Sequence, residues 1–390
     1  MLRPTEAGAK PKERDGSIVA LQLAFGLVGM ATALPGAVLP QLAALWSIHD
    51  ARAGLLFAAQ FTGGGLGGFL TRGKFFATAV YGFALLGLSA AAMKLAGPAT
   101  ALPLMLVYGL GQGAATTSIS MMVGRRYAAK RGAILTLLNF FWSLGAAAGP
   151  LLVSRLLARW QVGSAFQALA LLNGLIVVLL LSTSVSLPES MEEVLQKPQK
   201  AAPGLVAFFA LLAFLYVGVE STLGGWISTF AQRATILDAR HATAMASCFW
   251  GALLAGRALS SAILLRVPER VLYVTCLASA AMGVGLLLFA HSVMTVGLGA
   301  VVAGLSMAPV FPVNLSLYLA RAGEFSRAGI MLAISGFGGA ALPWLTGLVS
   351  SRTGSLRIGL TLPLAVLLMM LTMALAACRG SRPLFVSGHQ

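Results

Sequence analysis

Apolar residues in this chain do not alternate with polar ones at the spacing of a half-buried helix or strand. They run together in long blocks, cut by short clusters of charge, glycine and proline. A helix that crosses a bilayer needs roughly 20 largely apolar residues, and cutting at the breaks yields twelve blocks of that length. The first six cover approximately 17–44, 52–71, 75–96, 99–122, 132–154 and 164–187; the second six cover 204–231, 240–265, 269–290, 292–319, 325–350 and 356–378. The faintest break is at His291, where one histidine and one serine interrupt the apolar run. The longest polar connection, 188–203, falls mid-chain and holds Glu189, Glu192, Glu193, Lys197 and Lys200 among prolines. The pattern predicts an all-α membrane protein: tail 1–16, six-helix bundle 17–187, linker 188–203, six-helix bundle 204–378 and tail 379–390.

Composition agrees. The chain is 58% apolar and 10% charged, against about 25% charged in soluble domains, so lipid must be the solvent for most of it. A net charge of +16 would suit nucleic acid, but the basic residues sit singly or in short groups between apolar runs, which excludes that partner. They mark cytoplasmic loops instead. With the N-terminus inside, the inner segments hold 18 Lys and Arg and the outer ones 8. Both termini are therefore expected in the cytoplasm, with the protein in the plasma (inner) membrane. The N-terminal tail mixes charges of both signs ahead of an apolar block too long for a signal peptide.

The pattern repeats. Tyr108-Gly109-Leu110-Gly111-Gln112 resembles Ala303-Gly304-Leu305-Ser306-Met307 at an offset of 195, which Arg126 and Arg321 share. The run from Leu144 to Gly149-Pro150 resembles that from Phe337 to Leu342-Pro343 at an offset of 193. Offsets near half the length predict two pseudo-symmetric bundles of the same sense, with a binding site between them.

Chemistry is sparse. Cys248, Cys276 and Cys378 lie in apolar runs, and His49, His241, His291 and His389 at breaks or in a tail, so no metal or cofactor site is expected. Enzyme signatures such as His-Glu-x-x-His, a nucleophile elbow or a phosphate loop do not occur. Of the acidic residues only Glu220 lies well inside a predicted span, and of the basic ones only Arg257. A charge at that depth costs about 2.5–3.5 kcal/mol, so Glu220 must meet a cavity, a partner or an ion. At 1.5 Å per residue Arg257 and Glu220 are expected at different depths, unpaired, with Arg257 either gating or reaching the headgroups. Gln22, Gln60, Gln112, Asn139, Trp142, Trp226, Asn314 and Trp344 are candidate solute ligands, since amides both donate and accept and indole faces stack on sugar rings. The structural alternative is glue between helices. Gly149, Pro150 and Pro343 mark places where helices bend or approach closely.

Tyr216-Val217-Gly218-Val219-Glu220-Ser221-Thr222-Leu223-Gly224-Gly225-Trp226-Ile227 looks like the seventh helix of sugar-type major facilitators, the relatives of the L-fucose/proton permease and the sodium-dependent glucose transporters. Asn139-Phe140-Phe141-Trp142-Ser143-Leu144-Gly145 with Gly149-Pro150 is similar to their fifth helix. Phe311-Pro312, and Gly338-Gly339-Ala340 with Pro343-Trp344, are similar to their tenth and eleventh. The resemblance implies a monomeric secondary transporter of the major facilitator fold, moving a monosaccharide or similar small neutral polar solute by alternating access, with a proton or sodium ion as partner. Two positions differ. The loop Gly67-Gly68-Phe69-Leu70-Thr71-Arg72-Gly73-Lys74 has Thr71 where the family carries aspartate, leaving Arg72 a gating or structural residue. Gln22 and Gln112 stand on the first and fourth spans, where fucose-type permeases carry acidic groups, so Glu220 is the remaining coupling candidate. Proton-driven efflux of amphipathic compounds, or a receptor that moves no solute, are the other expectations.

Overall fold

The computed structural model describes residues 16–127, 131–183, 202–322 and 328–379. The first half contains α1 (Gly16–Trp46), α2 (Asp50–Leu70), α3 (Phe75–Met93), α4 (Pro98–Arg126), α5 (Arg131–Leu156) and α6 (Gly163–Ser182). The second contains α7 (Pro203–Ala234), α8 (Ala239–Ile263), α9 (Glu269–Leu288), α10 (Val293–Met307), α11 (Val310–Ala322), α12 (Ala328–Thr353), α13 (Leu356–Gly359) and α14 (Thr361–Arg379). α10 and α11 are two pieces of one crossing, interrupted at Ala308-Pro309, and α13 leads into α14, so the fourteen helices make the twelve expected crossings. Most of the 188–203 linker and both tails lie outside the described residues.

The faint break at His291 is a true helix boundary. The Ser292 hydroxyl accepts from the Thr295 N–H while the Thr295 hydroxyl accepts from the Ser292 N–H, a reciprocal cap that restarts the helix at α10. Ten described helical spans are apolar enough to cross a membrane by composition alone. The other two crossings are α4 and α12, and both are rich in Gly, Ser and Thr. They pack between other helices, α4 against α2 and α3, and α12 against α7 and α2, so lipid does not have to solvate all their sides.

The repeat read from the sequence is a repeat of packing. α1 lies on α5 as α7 lies on α12; α2 on α4 as α8 on α10; α3 on α4 as α9 on α10; α3 on α6 as α9 on α14. Gly109 and Gly304, matched at the offset of 195, both sit where two backbones nearly touch. A Cβ on Gly109 would stand 1.9 Å from the Gln60 carbonyl oxygen, and one on Gly304 would stand 2.4 Å from that of Phe249. Lipid supplies no hydrophobic drive between helices, so such close approach supplies the packing energy instead.

The halves meet through α2 with α12, α5 with α8 and α1 with α7. Since the crossings are even in number, Gly16 and Arg379 lie at one end of the bundle, called here the terminal end; the other is the distal end. Polar contacts differ between them. Among the described residues those at the terminal end stay within a half: Arg126 Nη1 donates to Ser17 Oγ (2.8 Å), and Ser316 Oγ to Glu269 Oε1 (2.8 Å). At the distal end several cross between halves and hold that end closed.

Candidate functional site

The middle of the joint between halves holds the charged pair. Tyr216 stands one turn before Glu220 on α7, and its hydroxyl donates to Glu220 Oε1 at 3.0 Å. Arg257 Nη2 on α8 lies 3.6 Å from the same oxygen, with the two side chains 20% and 13% exposed. Arg257 Nη1 reaches across to α5 and donates to Ser143 Oγ at 2.6 Å, while its guanidinium carbon stands 5.5 Å from the Trp142 ring centre. Trp142 meets Trp250 of α8 edge-on at 5.6 Å, and Tyr216 stacks on Phe311 of α11 at 5.6 Å. Glu220 Oε2 receives no hydrogen bond from a described residue.

This corrects the expectation that depth separates Arg257 from Glu220. Glu220 lies 14 residues before the end of α7 and Arg257 lies 18 after the start of α8. These distances are roughly 21 and 27 Å at 1.5 Å per residue, and the long arginine side chain spans the difference. Each charge is half-buried beside its opposite, the usual condition for charge at bilayer depth.

The other candidates separate into groups. Trp142 belongs to the cluster. Gln112 lies beside it in the first half: its Nε2 donates to Thr32 Oγ1 at 2.7 Å, and its Oε1 accepts from Gln60 Nε2 at 3.0 Å. α1 crosses the α5 backbone at Gly26 and Gly29, the latter against Trp142 itself, so Thr32 is about one turn from the cluster. Asn139, one turn before Ser143, is exposed and donates to the Leu135 carbonyl at 2.9 Å. Gln22 is half-buried near the start of α1.

Three candidates lie elsewhere. Trp226 is fully buried, donates to the Pro343 carbonyl at 2.9 Å and meets Phe57 of α2 edge-on at 5.8 Å, so it seals α7, α12 and α2 together. Trp344 runs beside Gly54 of α2 in the same seal, where a Cβ on Gly54 would stand 2.9 Å from the Trp344 Cα. Asn314 is buried inside the second half and donates to the Phe209 carbonyl at 3.1 Å. Gly149 lies against Met30, next to buried Pro150, and Arg72 is exposed with its guanidinium over Phe69.

A second site escaped the sequence reading. Asp50, at the start of α2, is 6% exposed and receives both Arg233 nitrogens of α7, Nη1 to Oδ2 at 2.6 Å and Nη2 to Oδ1 at 2.7 Å. Ser350 of α12 donates to Oδ2 at 2.5 Å, and the Ala51 N–H donates to Ser351 Oγ at 2.7 Å. Nearby, Gln41 Nε2 of α1 donates to the Ala239 carbonyl (2.7 Å) and to Thr243 Oγ1 (2.9 Å) of α8. These contacts latch the halves at the distal end. Asp50 and Arg233 are 183 residues apart at ordinary helix ends, with no local motif to connect them.

Comparison with known proteins bears on the fold and the family. Over 373 residues the chain is 26% identical to a putative glucose/galactose transporter of Helicobacter pylori, covering 86% of this chain and 88% of that one. It is 28% identical over 171 residues to sodium-dependent glucose transporter 1A of Mus musculus, a stretch that is 40% of either protein. Among solved structures, a bacterial homologue of the human lysosomal transporter Spinster, inward-facing and unoccupied, superposes with a TM-score of 0.78 at 15% identity, over 98% of this chain and all of that one. The transporter FucP in its outward conformation gives 0.61 at 18% identity, over 92% and 98%. The family model of the Major Facilitator Superfamily matches residues 21–328, most of both bundles, so the chain belongs to that superfamily and is an integral membrane transporter rather than an enzyme.

Proposed function

We propose that this transporter moves a small neutral polar solute, a sugar by preference, by alternating access driven by a cation. The observation that carries the reading is the Tyr216–Glu220–Arg257–Ser143 chain across the joint of the halves, flanked by the indoles of Trp142 and Trp250. Hydrogen-bonding groups beside aromatic faces suit a ring that is polar at its edge and apolar on its face. The names of the Helicobacter and mouse relatives lie in the same direction. The distal latch and the intra-half contacts at the terminal end support a cavity entered from the terminal end in this conformation. One observation favours proton-driven efflux of amphipathic compounds instead: the groups that hold the carboxylate lie among aromatic rings, Tyr216 against Phe311, and Trp142, beside Arg257, against Trp250, which in turn meets Phe249. Thermal-shift measurements with monosaccharides and with lipophilic cations separate the two. Stabilisation by a monosaccharide is the expected result; stabilisation by the cations alone would replace the sugar reading with efflux.

The terminal end is proposed to face the cytoplasm, on the strength of the 18 to 8 distribution of basic residues. In a cysteine-free background, Ile236→Cys, at an exposed position of the distal end, should react with an impermeant reagent added outside the cell, and Leu195→Cys should not. The reverse pattern inverts the orientation.

A further inference from the structure

The distal end holds an open surface recess of about 500 Å³ that the central site does not use, formed by the end of α5 and the turn after it together with the start of α8. Its walls include Leu152, Arg155, Arg159, Trp160 and Arg240. Three of the eight basic residues at this end, all exposed, thus line one recess on the side where basic residues are scarce. Like charges held together are unfavourable without an anion between them. Among the described residues the side chains of Arg155 and Arg159 make no hydrogen bond or ion pair. Arg240 Nε donates only weakly, to the Ser154 carbonyl at 3.3 Å. Asp238 is the nearby carboxylate, and it is occupied: Oδ1 accepts from the His241 N–H at 2.7 Å and lies 2.8 Å from the His241 ring. One negative charge faces three positive ones.

The rest of the recess shows which anion fits. Trp160, 63% exposed, stands at the end of the helical bundle, the depth where indoles anchor at the headgroups. Along α5 towards the bilayer centre, Leu152 and Leu151 are 51% and 47% exposed and present an apolar face. A phosphate among guanidiniums with an acyl chain along leucines is the chemistry of a phospholipid, since arginine forks match phosphate oxygens. We propose that this recess binds the phosphate of an anionic phospholipid from the leaflet at the distal end, and that the bound lipid favours the conformation in which that end is closed. The second part follows from ownership of the walls: Arg155 and Arg159 belong to the first half and Arg240 to the second, so parting the halves takes the site apart. A ligand that binds one conformation better shifts the population towards it.

The full-length protein, in nanodiscs of phosphatidylglycerol or of phosphatidylcholine, tests this. Wild type should carry a phosphatidylglycerol through delipidation in native mass spectrometry and melt higher in that lipid than in phosphatidylcholine. Arg155→Gln/Arg159→Gln should lose both effects. Arg352→Gln, at an exposed position of the same end away from the recess, should keep both. Arg155→Lys/Arg159→Lys, which retains charge, serves as the folding control and should hold the lipid partly. Retention by Arg155→Gln/Arg159→Gln equal to wild type overturns the site. Protection by dissolved inorganic phosphate without protection by the lipid makes it a free-anion site and overturns the lipid. Spin labels at Leu95→Cys and Ile236→Cys, exposed positions on opposite halves at this end, should show a shorter distance in phosphatidylglycerol. A distribution independent of lipid overturns the conformational linkage.

Discussion

Glu220→Gln is expected to reduce gradient-driven accumulation of the solute to background in proteoliposomes while solute exchange across the membrane continues. The substituted amide still accepts from the Tyr216 hydroxyl, which donates to Glu220 at 3.0 Å, so the local packing is retained. What it loses is the exchangeable proton and the charge facing Arg257 at 3.6 Å. Arg257 keeps its hydrogen bond to Ser143 and its place beside Trp142, and so stays attached to the first half. Arg257→Gln is the more damaging single change, because it leaves a carboxylate at bilayer depth without its cation. Breaking a buried pair in this way costs about 3–5 kcal/mol, and the folded yield should fall accordingly. The double variant Glu220→Gln/Arg257→Gln removes both charges and should recover folding, without recovering accumulation. Loss of accumulation and exchange together would make Glu220 a ligand of the solute itself. Accumulation that survives Glu220→Gln would reduce the pair to a structural one and remove the coupling proposal.

Asp50→Asn is expected to open the distal end. The carboxylate accepts three hydrogen bonds from the second half, two from Arg233 and one from Ser350. Hydrogen bonds to charged groups contribute about 1.5–3 kcal/mol each when buried. The Arg233 side chain is 45% exposed, so solvent screens its share, and an overall loss of about 1–3 kcal/mol is the reasonable scale. With about 1.4 kcal/mol per tenfold change in an equilibrium, this shifts the population of the distal-closed form by roughly one to two decades. A cysteine placed one turn behind the latch, at buried Ala53 of α2, should then react with a reagent applied at the distal end much faster than in the parent protein. Arg233→Gln should act in the same direction and Asp50→Asn/Arg233→Gln should add little, since both single changes break one contact. Unchanged reactivity in Asp50→Asn would show that the apolar seal of Trp226, Phe57 and Trp344 holds the distal end closed unaided.

Twelve crossings and two halves were legible in the sequence, because a membrane helix must satisfy its own backbone hydrogen bonds and must be apolar over roughly 20 residues. Those constraints are local, so a one-dimensional pattern carries them. The glycine repeat was legible for a related reason. Gly109 and Gly304 admit a neighbouring backbone that any side chain would exclude, and the residue type records it. Only the tertiary structure decided who meets whom. Glu220 and Arg257 face each other because α7 and α8 turn back on themselves and a long side chain absorbs the mismatch in depth. Amides and indoles chosen by type divide between the cluster, as with Trp142 and Gln112, and helix seams, as with Trp226 and Asn314, because the same groups serve either purpose. Asp50 and Arg233 looked like ordinary helix ends; their pairing depends on how α2 and α7 dock across two halves, and nothing within a few residues of either encodes that distance.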